Sequence, residues 1–360
     1  MKFIYWFAYY NFDSPSVRYR GKYPLEWMYR ERGIGFRLVV PGYRPAAIMR
    51  FLQAYFAALL FPRKDSVIVV QRVYSGFIYA GALKLLVRVR RGRTVYDLDD
   101  ADYLEHPPST IHYFARHCRC VSAGSQAIVR YLRRFNPNVA HVTSPVIDLG
   151  IRKSGRSEVF TIGWVGDLGG DHRHGLFTLL FPALAQFRLP VRFVCIGVHR
   201  EDDMQRIMTF FKDLEDVELD MPMNVDWEDE AWLQQQIARF DVGIAILMDT
   251  PVQRAKSGIK AKQYMNNGVP VLSTDLPENN HVVQHGSNGF LFSNVDDLVS
   301  RLHSLFFMDE QQRRLLSENA LSSVVGFDHA RYCADLFALV ANNIPEGKDR
   351  FEDPALVDGL

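Results

Sequence analysis

Short, nearly unbroken apolar runs alternate along this chain with stretches whose apolar residues recur at helical spacing. The first run, KFIYWFAYYN, reads as a buried strand entering the loop NFDSPSVRYRG, and YPLEWMYRERG reads as a helix closed by a glycine. FRLVVPG and DSVIVVQR are strands on either side of a helix over Ala46–Phe61, and a helix around Tyr79–Val89 leads into the strand TVYDLDD. CRCVSAGS reads as a strand meeting a helix capped at Ser125, and HVTSPVID as a last strand before the charged linker IRKSGRSE. Strands that are apolar throughout, rather than alternating, belong in a parallel sheet covered on both faces.

The rhythm restarts at FTIGWVGD, a strand with a glycine turn, followed by a helix from about Gly175 to Phe187 and the strand VRFVCIG. Helices over Met204–Leu214 and Glu230–Ala238 precede the strand DVGIAIL, the loop MDTPVQRAK, a helix from Gly258 to Asn267 and the strand VPVLSTD. Helices over Val295–Phe307, Gln311–Val324 and Phe327–Asn343 follow, the last ended by Pro345. The fold class is therefore α/β, with one doubly wound lobe over residues 1–150 and a second over 151–326. A loosely ordered tail is expected over 345–360. Ligands of such sheets lie beyond the carboxyl ends of the strands, here the loops after Asn11, Gln71, Asp97, Gly166, Gly197 and Leu247.

Length agrees with two domains, since 360 residues exceed what one hydrophobic core usually organises. Charge adds an asymmetry hidden by the net value of +1. Residues 1–150 hold 22 Lys and Arg against 10 Asp and Glu, and the remainder holds 20 against 31. A lobe carrying +12 suits an anionic partner, such as a membrane surface or a pyrophosphate-bearing acceptor, or else attraction to the second lobe at −11. No nucleic-acid partner is expected. Ala46–Phe61 lies between Pro45 and Pro62 and is shorter than the ~20 residues that span a bilayer, so it reads as a buried helix, with docking on a membrane face as the alternative. Four irregularly spaced cysteines and no secretory leader point to a cytoplasmic protein, peripheral on the inner membrane face if it meets a membrane.

The segment RAKSGIKAKQYMNNG, Arg254–Gly268, carries the clearest chemistry. Ser257 is placed to cap a helix whose end falls at Gly268, and Lys256 and Lys260 flank its start. A helix N-terminus with two ammonium groups suits a diphosphate; two solvated lysines are the competing reading. No Gly-x-Gly-x-x-Gly follows either opening strand, so a nicotinamide or flavin dehydrogenase loses its support.

From about Asp241 to Phe292 the chain resembles the carboxyl-terminal lobe of glycosyltransferase family 4. DVGIAIL, DTPVQRAKSGIKAKQYM, NNGVPVLSTD and VVQHGSNGFLF match its motifs in order, and TIGWVGD and VYDLDDADYL match more loosely. The resemblance implies a GT-B fold, two Rossmann-like lobes facing a central cleft, with the segment 327–344 packing back on the first lobe. It also implies transfer, with retention, of a sugar from a nucleotide-diphosphate sugar to a glycan or lipid-linked acceptor in cell-surface polysaccharide or glycolipid synthesis. Gly166 would let the backbone approach the donor phosphates. Lys256 and the amides near Gly258 and Ile259 would bind diphosphate oxygens, with Lys260 and the loop residues Asp249 and Ser257 beside them. Gly197, His199 and Gln263 would face base and ribose. Three departures stand out. Ala255 and Gln263 replace a pair of glutamates, Asp167 replaces a basic residue after the glycine turn, and His174–Gly175 replaces Lys-Gly, leaving Arg173 or His174 to supply the positive charge.

Transfer requires a stabilised leaving diphosphate and an acceptor hydroxyl relieved of its proton. Lys256, Lys260, Arg18 and Arg20 can serve the first need without a metal or other cofactor. Asp99 and Asp100, at a strand end with Asp97 and Asp102, can serve the second, or act as a cap or inter-lobe ion pair. His112, His117, Cys118 and Cys120 match no standard zinc spacing. Tyr9 and Tyr10 could line the acceptor side. A catalytically silent subunit of the same fold, and a phosphorylase or epimerase, remain alternatives.

Overall fold

A computed structural model describes residues 1–61 and 65–341; Pro62, Pro345 and the expected tail over 345–360 lie outside the described residues. The first lobe is a sheet of six parallel strands: β1 (Phe3–Ala8), β2 (Gly35–Val39), β3 (Ser66–Gln71), β4 (Thr94–Leu98), β5 (Cys120–Ala123) and β6 (Val139–His141), in the order β2-β1-β3-β4-β5-β6. The second is built alike from β7 (Phe160–Val165), β8 (Val191–Ile196), β9 (Val217–Asp220), β10 (Val242–Ala245), β11 (Val271–Thr274) and β12 (Gly289–Phe292), in the order β12-β11-β10-β7-β8-β9. The strand order reverses beside β1 and beside β7, which opens a crevice at the carboxyl ends of those strands. β1, β3, β4, β7 and β8 are buried along almost their whole length, which is why they read as continuous apolar runs.

Each sheet is covered on both faces by helices. The helix His329–Ala341 packs Tyr332, Cys333, Leu336 and Leu339 against Ile4, Trp6 and Val67 of the first lobe. The lobes are tied by the extended segment after β6, where the Val146 amide donates to the Phe327 carbonyl at 2.8 Å and Asn267 Nδ2 donates to Ile151 O at 2.7 Å.

Four local expectations are corrected. NFDSPSVRYRG is not all loop: Val17–Lys22 forms a wide helical turn continuous with the helix Tyr23–Arg32. HVTSPVID is not a strand beyond His141, because its backbone turns to the lobe junction: Val142 and Ser144 carbonyls accept from Arg20 and Lys262 side chains. The helix after the glycine turn starts at Gly170 and runs to Phe187, with one wide turn at Leu176–Leu180. Ala46–Phe61 belongs to a helix, Pro45–Leu60, but that helix buries only Ala54, Tyr55 and Ala58. No helix among the described residues is long and apolar enough to cross a membrane.

Candidate functional site

Two glycine turns form the floor of the second lobe's crevice. Gly197, after β8, has φ 106°, and a Cβ there would lie 2.0 Å from the Gly166 carbonyl oxygen. The turns after β7 and β8 therefore pack backbone against backbone, a contact only glycine permits. Lys260 closes over this floor: a Cβ on Gly166 would stand 2.8 Å from Lys260 Cε. Its Nζ lies 3.0 Å from His172 Nε2 and over the Trp164 ring. Burial and the neighbouring Lys256 push the Lys260 ammonium down to about 7. Lys260 and burial in turn hold the His172 imidazole far below its usual range.

Lys260 belongs to the helix Ile259–Asn266. Its cap is not Ser257, which makes no capping bond; Gly258 holds the position at φ 60°, a left-handed conformation that glycine reaches without strain. The first amides of this helix, from Ile259 onward, lack intrahelical partners and side-chain caps. They point their positive end toward the same space as Lys256 and Lys260. The helix closes as expected, with Gly268 at φ 70°.

The opposite wall comes from the first lobe. Lys256 Nζ reaches across the cleft to Asp100 Oδ1 at 3.1 Å. Asp100 also meets Arg72 Nη1 at 2.8 Å. Arg72, at the end of β3, is the hub of this wall: it chelates Asp102 at 2.6 and 3.0 Å, approaches Asp99 at 3.7 Å and donates to Ser16 Oγ at 2.9 Å. Ser16 in turn donates to Asp99 Oδ2 at 2.5 Å. Burial would raise the Asp100 carboxyl, but Arg72 and Lys256 outweigh it and hold it well below the carboxylate range. Burial wins at Asp99, which is raised, and at Asp102, pushed up to about 6 despite Arg72. Arg72 was missed by sequence reasoning, although Gln71 marked its loop; its role depends on three carboxylates at the end of the next strand, which only the fold brings beside it.

Arg18 and Arg20, two residues apart, differ completely. Arg20 is fully buried and chelates Asp97 through Nε at 2.9 Å and Nη2 at 2.5 Å, with further bonds to Val142 O and Ser122 Oγ. It is bound on every side inside the lobe and cannot reach a phosphate; Asp97, equally buried, leaves the carboxylate group that faces the cleft. Arg18 is also buried, yet its Nε and Nη1 have no hydrogen-bond partner. Its guanidinium lies 5.9 Å from the ring of Trp227, which packs on Gly197 and donates to His199 Nε2 at 3.3 Å. A buried guanidinium with idle donors is costly unless a ligand completes it.

Gln263 Nε2 donates across the lobes to Tyr19 Oη at 2.7 Å, and Tyr19 donates to Glu230 at 2.7 Å. Glu230, raised by burial, thus brings a carboxylate beside Gln263 from a different helix, Glu230–Ile237. Ala255 is buried and packs with the first lobe's core. The remaining expected residues lie further out. Asp249 is exposed and chelated by Arg254, Nη2 to Oδ2 at 2.9 Å. Asp167 and His174 are exposed, and Arg173 pairs with Asp203 at 3.3 Å. His174–Gly175 stands inside its helix rather than at its start, which leaves His172 as the side chain of that helix that meets Lys260. Cys118 and Cys120 are buried free thiols. Tyr9, Tyr10 and Tyr74 form an aromatic wall beside Arg72, with Tyr10 and Tyr74 hydroxyls 3.0 Å apart.

Two doubly wound parallel lobes define a GT-B fold, with a cationic helix start on one side of the cleft and a carboxylate–arginine wall on the other. Residues 159–306 match the family described as Glycosyl transferases group 1. No curated protein matches the chain by sequence. Among solved structures, Anabaena HepE in complex with UDP-glucose superposes with a TM-score of 0.67 at 16% identity, over 94% of this chain and 99% of that one. The lipopolysaccharide outer core galactosyltransferase WaaB in its apo form gives 0.64 at 13%, over 95% and 99%. A glycosyltransferase from Rickettsia africae gives 0.70 at 10%, over 96% and 99%. At these identities the structures establish the fold alone; similarity to glycosyl transferases rests on the family match over residues 159–306.

Proposed function

We propose that the protein is a retaining glycosyltransferase that moves a hexosyl or deoxyhexosyl group from a nucleotide-diphosphate sugar to a glycan or lipid-linked acceptor at a membrane surface. The observation that carries this reading is the convergence of Lys256, Lys260, the uncapped start of Ile259–Asn266 and Arg18, with its idle Nε and Nη1 beside Trp227, on the Gly166–Gly197 floor. Three cations and a helix dipole can neutralise a departing diphosphate from the protein's own groups. Trp227, His199 and Glu230 border the space left for base and ribose, with Gln263 beside them. Asp100, and Asp99 behind it, would orient the acceptor hydroxyl. The complex of HepE with UDP-glucose supports a nucleotide-sugar donor, and the lipopolysaccharide galactosyltransferase supports a surface-glycan acceptor.

The test is release of nucleoside diphosphate from a panel of nucleotide sugars, with membrane extract as acceptor source. Wild-type turnover that Lys256→Ala abolishes is expected. No turnover with any donor, alongside intact nucleoside diphosphate binding, would favour the second reading, a silent subunit. Ala255 motivates that reading: it is buried against the other lobe where the resemblance places a glutamate.

A further inference from the structure

We propose that two neighbouring helices of the first lobe, Pro45–Leu60 and Phe77–Val89, form one face that docks on an anionic lipid bilayer. The helices pack on one another, and each turns an apolar stripe outward. Ile48, Phe56 and Leu60 recur at helical spacing on the first and are exposed; Ile78 and Leu85 do so on the second. Phe77 is 98% and Ile78 82% exposed, values that no core role explains. An apolar stripe this continuous on a water-facing surface marks an interaction site.

Charge selects the occupant. Residues 44–93 contain ten Lys and Arg and a single carboxylate, Asp65. Arg44, Arg50, Arg88, Arg91 and Arg93 are all exposed around the stripes. Apolar side chains collared by arginine fit acyl chains beneath anionic headgroups. A second copy of this chain would set arginine against arginine and is disfavoured.

Position gives the face a purpose. Both helices begin beyond the carboxyl ends of their strands, β2 and β3, so their starts border the cleft. Phe77 and Ile78 stand beside Tyr79, whose hydroxyl donates to Ala8 O at 2.7 Å, next to the Tyr9–Tyr10–Tyr74 wall. An acceptor head group could enter the cleft while its lipid stays in the bilayer. This purpose rests on the membrane-borne acceptor proposed above, whereas vesicle binding is measured without donor or acceptor, so the two readings fail separately.

The experiment is vesicle flotation of the full chain on phosphatidylcholine alone and with about 30% phosphatidylglycerol, an anionic lipid. Binding is expected only with the anionic lipid and should fall as salt rises. Phe77→Glu with Ile78→Glu adds carboxylates in a first helical turn, where the dipole favours them, so the fold is kept. This pair should lower partition by about tenfold or more. Arg91→Ser with Arg93→Ser should lower it about fivefold per arginine. A wild type that ignores anionic vesicles, or a glutamate pair that binds unchanged with a wild-type melt, would overturn the proposal. So would a wild-type dimer that the glutamate pair dissolves, which would assign the face to a second copy.

Discussion

Replacing Lys256 with alanine probes the step at which the two lobes exchange partners. Its ammonium sits 3.1 Å from Asp100, across a junction where both side chains are about a quarter exposed. A diphosphate must take the lysine from that carboxylate. A hydrogen bond from an ammonium to a phosphate oxygen contributes about 1.5–3 kcal/mol. The exposed part of the Asp100 pair offsets roughly 0.2–1 kcal/mol of it. Lys256→Ala should therefore raise the Kd for the best-binding nucleoside diphosphate by about 2- to 100-fold. Asp100→Asn acts in the opposite sense by releasing the lysine, and should lower Kd about two- to fivefold. In the Lys256→Ala background that gain should shrink, giving a coupling energy in a double-mutant cycle. Isothermal titration of the four proteins is the assay. Lys256→Ala binding as tightly as wild type, or Asp100→Asn binding as weakly as Lys256→Ala, would refute the partner exchange.

Further outcomes follow from the same geometry. Lys260, pushed down to about 7, is half neutral near that pH, and a bound diphosphate pulls its proton affinity up again. Affinity should therefore fall as pH rises from about 6 to 8, with proton uptake on binding near pH 7.5 that titrations in buffers of different ionisation enthalpy detect and Lys260→Met removes. The same depressed value means the unfolded chain holds more protons between 7 and 10.5, so Lys260 destabilises the apo fold at low pH and this cost is relieved as pH rises. Arg18→Ala should leave the melting temperature within a degree or two yet raise the nucleoside diphosphate Kd about tenfold or more. Arg20→Ala should instead cost about 3–5 kcal/mol in denaturant unfolding, because it strands Asp97 without its partner. Gly197→Ala should lose about 3 kcal/mol in the same assay, or its nucleotide binding, since the added methyl meets the Gly166 carbonyl.

Much of this architecture was legible because parallel strands buried on both faces advertise themselves. β1, β3, β7 and β8 need no partner to be recognised. β9 escaped notice because it is a short edge strand, Val217–Asp220, with carboxylates facing out. The helical turn Val17–Lys22 was hidden by Gly21 and the Ser-Pro start, and tertiary bonds of Arg20 hold it in place. Within the site, Lys256, Lys260, Gly166 and Gly197 were readable from local spacing and strand ends. Arg72, Trp227, His172 and Glu230 were not, since each acquires its place through residues more than twenty-five positions away. Arg18 and Arg20 could not be told apart by sequence, because only packing decides which guanidinium finds a carboxylate.

The central claim, that the cleft over Gly166 and Gly197 holds the diphosphate of a nucleotide sugar, is tested most directly by calorimetric titration of the intact chain. A panel of nucleoside diphosphates and their sugars would be titrated with Lys256→Ala, Lys260→Met and Arg18→Ala as controls. Saturable one-to-one binding of at least one nucleotide, weakened by all three substitutions, is predicted. Absence of binding across the panel, or binding that none of the three substitutions weakens, would contradict it.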